Sequence, residues 1–82
     1  MIPKDSVETA YSFFHQKQRV YQYSTMEWQK DDIEHAISDY ADGMNTELYQ
    51  LLAAGRSDYL HDHVRFADDI LHALGVMETM LA

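Results

Sequence analysis

The stretch TMEWQKDDIEHAISDYADGMNTELYQLLAAG, residues 25–55, decides the fold class of this 82-residue chain. Its apolar residues recur mostly three, four or seven positions apart, which places them on one face of an α-helix. The same period extends from Val7 to Leu81, where only three glycines interrupt it, and the single proline, Pro3, precedes it. The sequence therefore predicts an all-α protein.

The helix boundaries follow from residues that begin or end helices. We predict helices over about residues 5–22, 25–54 and 58–81, in a single domain that spans residues 1–82. Ser24 and Glu27 have the spacing of a capping box at the start of the second helix. Gly55 has no Cβ, and glycine is the residue preferred at the left-handed position that follows a helix.

Gly43 lies inside the predicted second helix, where a glycine costs about 1 kcal/mol relative to alanine. Residues 42–46 could therefore form a break, with Asn45 or Thr46 capping a new helix. The apolar residues keep their phase across Gly43, and for that reason we predict one continuous helix.

The short connection at residues 55–57 predicts that the second and third helices form a long antiparallel hairpin. The first helix would pack along it, giving a three-helix bundle. Because the first helix is shorter than the second, part of the hairpin would stay uncovered. Contiguous exposed apolar surface usually marks a partner site. We therefore expect a homodimer, with an interaction surface drawn from Phe13, Val20, Trp28, Val76 and Met80.

The composition restricts the classes of partner. A net charge of −8 should repel nucleic acid and anionic lipid, so we expect neither as a partner. Residues 25–55 hold seven acidic side chains and one basic, a net charge of −6. The chain has no cysteine, which favours the cytoplasm over an oxidising compartment.

The chain contains five histidines, which are candidates for metal ligands or catalytic residues. Three follow an aspartate by three residues, at Asp32–His35, Asp58–His61 and Asp69–His72, but these lie on polar faces. The acidic runs resemble solvated helix surfaces, and no nucleophile stands in a catalytic motif. We expect no catalytic residue, no metal site and no cofactor.

His63 differs because it falls in the middle of the third predicted apolar stripe. We expect a buried, neutral core histidine, or a pH-sensitive element whose pKa is lowered by burial.

These observations favour a small helical protein that acts by protein–protein interaction, as an adaptor, a regulator or a chaperone-like protein, as a homodimer or with another protein partner. One alternative is an acidic inhibitor, such as an immunity protein or a nucleic-acid mimic, that binds a basic target. A second alternative is a metal-dependent helical hydrolase.

Overall fold

Helices account for nearly all of the regular structure, as the apolar period predicts. The computed structural model describes residues 2–82, and within that range it contains four α-helices. They are α1 (Lys4–Tyr23), α2 (Glu27–Gly43), α3 (Thr46–Ala53) and α4 (Phe66–Leu81). The all-helical class is confirmed, and the count of three helices is wrong.

The continuous helix predicted over residues 25–54 is wrong, because the chain breaks after Gly43. Met44 has extended backbone, with φ −76° and ψ 173°. The Asn45 side chain then accepts a hydrogen bond from the backbone N–H of Leu48 at 3.0 Å. Gly43 weakens the helix and Asn45 supplies a new N-cap, so the two residues together outweigh the apolar phase.

The predicted capping box at Ser24 is also wrong. The hydroxyl of Ser24 donates to the carbonyl oxygen of Val20 at 2.7 Å, so this residue closes α1. The N-cap position of α2 is occupied by Met26, whose side chain makes no capping hydrogen bond.

The helix predicted over residues 58–81 begins only at Phe66. Short polar side chains explain the delay, because they bond to nearby backbone and compete with a helix. The Asp62 carboxylate accepts from the backbone N–H of Val64 at 3.0 Å, and Leu60 has a φ of 65°. Gly55 has the expected positive φ, at 90°. Residues 54–65, here called the 54–65 segment, therefore form a turn-rich connection between α3 and α4.

The core is shared by all four helices and the 54–65 segment. Helix α1 packs most extensively against α4 and also against α2, while α3 packs against α4. Buried apolar side chains line the facing surfaces: Val7, Ala10 and Phe14 in α1, Ile33, Ile37 and Ala41 in α2, Leu48, Leu52 and Ala53 in α3, Tyr59 and Leu60 in the segment, and Phe66, Ile70, Ala73, Leu74 and Met77 in α4.

Candidate functional site

A partly buried ion pair attaches the 54–65 segment to α4. The Asp69 side chain is 5% exposed and accepts two hydrogen bonds from the Arg56 guanidinium, at 2.6 and 3.2 Å. The backbone N–H of Leu60 donates to the same carboxylate at 3.2 Å. Asp69 thus holds a residue in left-handed conformation against the first turn of α4, and it is not the solvated surface charge that the sequence suggested.

Tyr59 extends this cluster into the core. Its hydroxyl donates to the backbone carbonyl of Asp69 at 2.9 Å and shares a hydrogen bond with Nδ1 of His72 at 2.8 Å. Burial raises the pKa of the Tyr59 phenol, and the Asp69 charge raises it further. The phenol therefore stays neutral, and its role is to hold the segment in place.

The other side of the 54–65 segment faces α2 across a cleft of about 340 Å³. Nδ1 of His63 donates to a carboxylate oxygen of Glu34 at 2.7 Å. Asp31 lies one helical turn before Glu34, and one potential ligand atom from each of the three side chains lies within 4.8 Å of the other two. We call Asp31, Glu34 and His63 the α2 cluster.

One oxygen of the α2 cluster is unsatisfied. Glu34 Oε2 is buried and has no hydrogen-bond partner among the residues that the structure describes. A buried carboxylate oxygen without a donor costs free energy, of order 1–3 kcal/mol or more, so such atoms call for an explanation.

The histidine next to the α2 cluster is already engaged. The Ser38 hydroxyl and Nδ1 of His61 share a hydrogen bond, and Nε2 of His61 lies 3.1 Å from a carboxylate oxygen of Asp42. His61 lines the same cleft as His35, which is exposed. Two further imidazoles therefore stand beside the α2 cluster.

The prediction of a buried His63 is wrong. Its side chain is 71% exposed, because α4 begins three residues later and the helical phase does not reach it. Its pKa is raised, first by the hydrogen bond to Glu34 and then by the negative charge of Glu34, with smaller contributions from Asp31 and Glu27. The prediction that burial lowers the pKa of His63 is therefore wrong, because the pKa is raised.

None of the three Asp–His pairs singled out in the sequence forms a ligand pair. Asp69 binds Arg56 and His72 contacts Tyr59, as described above. Asp58 contacts Arg56 at 3.3 Å, whereas Asp32 and His35 are exposed. The α2 cluster instead joins residues far apart in the chain, and only the spacing of Asp31 and Glu34 on one helical face was visible in the sequence.

The predicted interaction residues divide into two groups. Phe13 and Val76 are partly buried and pack against the core, with the Phe13 ring stacked on Tyr40 at 4.5 Å between centroids. Val20, Trp28 and Met80 are exposed.

Two large exposed residues between Val20 and Trp28 in the sequence were missing from the predicted surface. They are Tyr23 and Met26, at the turn between α1 and α2. We call Val20, Tyr23, Met26 and Trp28 the corner surface.

No family model, no curated protein and no solved structure matches this chain. Among residues 2–82, none of the helices has the length and apolar character needed to cross a membrane. Functional inference therefore depends on the chain's own surfaces and clusters.

Proposed function

We propose that this chain is a small acidic helical protein of the cytoplasm that acts by protein–protein interaction and forms a homodimer through the corner surface. The lack of cysteine supports a reducing compartment. The proposal retains the antiparallel hairpin predicted for residues 25–54 and 58–81, and the contact between α3 and α4 is consistent with it.

The corner surface is the observation that carries the proposal. Val20 is 52% exposed, Tyr23 75%, Met26 55% and Trp28 61%, all within nine consecutive residues. Val20 and Tyr23 line one groove of about 450 Å³. Exposed apolar residues concentrated in one region are typical of binding surfaces, and tryptophan and tyrosine are enriched among the residues that dominate binding energy.

The distribution of charge around the corner supports a second copy as the occupant. Residues 1–24 hold three basic and two acidic side chains, net +1, whereas residues 25–55 have a net charge of −6. In a two-fold dimer the same patch serves both copies. Arg19, which borders the groove on α1, would then approach the acidic first turn of the partner's α2 at Glu27.

A second candidate function is binding of a basic protein, as an acidic inhibitor would do. The observation in its favour is the row of exposed carboxylates along α2, at Glu27, Asp31, Asp32 and Asp39. The salt dependence of the complex distinguishes the two candidate functions. A homodimer held by the apolar corner surface should change little with salt, because screening weakens both the repulsion between two chains of charge −8 and the attraction at Arg19, whereas a complex with a cationic partner should weaken.

Trp28 is the only tryptophan in the chain, so its fluorescence reports directly on the corner surface. We expect its emission to shift to shorter wavelength as protein concentration rises, because dimerisation would remove the indole from water. Val20→Lys should abolish the shift. Val64→Lys is the matched control, since Val64 is 87% exposed but lies in the 54–65 segment. Emission that is independent of concentration in the natural sequence would contradict the proposal.

A further inference from the structure

We propose that the α2 cluster, Asp31, Glu34 and His63, binds a divalent transition-metal ion. Two carboxylates and one imidazole form a ligand set that binds first-row transition metals. The histidine disfavours Mg²⁺ and Ca²⁺, which prefer oxygen ligands. The inference is independent of dimerisation, because it uses the cleft between α2 and the 54–65 segment and not the corner surface.

The spacing of the ligand atoms supports the site. The three atoms lie within 4.8 Å of one another, and Nδ1 of His63 is 2.7 Å from Glu34. Ligand bonds of about 2.0–2.2 Å in a tetrahedral zinc site put neighbouring donors roughly 3.4 Å apart. Movements of about 1 Å would therefore bring the donors around an ion. His63 is exposed on a turn and can make such a movement.

The unsatisfied oxygen of Glu34 is an independent sign of a missing ligand. The Glu34 side chain is only 13% exposed, and its Oε2 is buried without a hydrogen-bond donor among the described residues. A cation held by the cluster would give this oxygen the partner that it lacks. It would also reduce the mutual repulsion of Asp31 and Glu34, which stand one turn apart on α2.

The cleft leaves room for a fourth ligand beside the α2 cluster. His35 and His61 line the same cleft, and its open side admits water. A zinc ion held by three protein ligands takes a water molecule in its fourth position. His61 is held by Ser38 and Asp42, so we assign the three direct ligands to the α2 cluster alone.

The test is isothermal titration of chelator-treated protein with Zn²⁺. We expect one ion per chain, with Mg²⁺ in excess failing to compete. Glu34→Gln, Asp31→Asn and His63→Asn should each weaken binding by at least about tenfold, the lower end of what even an outer-shell partner contributes. His15→Gln and Asp39→Asn are matched controls on exposed positions outside the α2 cluster, and they should bind as the natural sequence does.

A second readout separates coordination from loss of structure. Zn²⁺ should shift the imidazole NMR signals that disappear in His63→Asn, and His63 is exposed enough for that variant to keep its fold. Absence of one-to-one binding would overturn the proposal, as would unchanged binding in Glu34→Gln and His63→Asn. Equal weakening in His15→Gln would mean that surface histidines bind the ion, which also overturns it.

Discussion

Replacing Asp69 by alanine should destabilise the protein far more than the same change at the neighbouring Asp68. Both residues lie in the first turn of α4, so both lose the same favourable interaction with the helix dipole. Only Asp69 is buried, and only Asp69 binds Arg56 and the backbone N–H of Leu60. The difference in unfolding free energy between the two variants therefore measures how strongly Asp69 holds the 54–65 segment.

The magnitude follows from the groups left without a partner. Leu60 is 1% exposed, and a buried N–H deprived of its acceptor costs about 1–3 kcal/mol. Loss of the ion pair adds to this, with a discount because 30% of the Arg56 side chain is exposed and regains water. We expect about 2–3 kcal/mol for Asp69→Ala in excess of Asp68→Ala. A chain of 82 residues has roughly 4–12 kcal/mol of stability, so the loss is a large share of it.

Urea denaturation followed by far-ultraviolet circular dichroism measures the difference. With a slope of about 1.5 kcal/mol per molar urea, the midpoint of Asp69→Ala should fall about 1.3–2 M below that of Asp68→Ala. Asp69→Asn should lie between them, since its amide oxygen can still accept from Leu60. Midpoints within about 0.3 M of each other would refute the conclusion that Asp69 holds the segment.

Three further predictions concern single positions. Asn45→Ala should lower the free energy of unfolding by about 1 kcal/mol through loss of the N-cap of α3, whereas Asn45→Asp should retain most of it; thermal melts would check both. Gly55→Ala should destabilise the protein by about 1–2 kcal/mol because the φ of Gly55 is 90°. Ala54→Gly should be neutral or stabilising because Ala54 has a φ of 51°. A urea midpoint that falls in both variants would contradict this. The pKa of His63 measured by NMR should lie above its ordinary 6.5 and fall in Glu34→Gln. Because the folded-state pKa is raised, the contact between His63 and Glu34 should stabilise the fold fully below pH 6.5. This stabilisation should disappear as pH rises through the folded-state pKa.

The apolar period was sufficient to predict the helical class and α1, whose observed bounds Lys4–Tyr23 differ by one residue at each end from the expected 5–22. The apolar period did not predict the helix break after Gly43. The period alone does not compare the free-energy cost of a glycine with the gain from an N-cap at Asn45. It failed again between residues 58 and 65, where the hydrogen bond from Val64 to Asp62 favours turns over a helix.

The candidate sites depended on contacts that local sequence patterns do not encode. Asp69 looked like part of an acidic run, and its partner Arg56 lies in a different turn of the chain. Glu34 and His63 meet only because the 54–65 segment folds back over α2. Helical phase placed Val20 and Trp28 outside the core, where the structure exposes them, but it failed for Phe13 and Val76, which pack partly buried against the core.

The measurement that tests the central claim most directly is solution mass by light scattering over a concentration series at neutral pH, for the natural sequence and for Val20→Lys and Val64→Lys. We predict a rise from the mass of one chain to that of two for the natural sequence and for Val64→Lys, and the mass of one chain throughout for Val20→Lys. A single-chain mass at every concentration of the natural sequence, or dimerisation that persists in Val20→Lys, would contradict association through the corner surface.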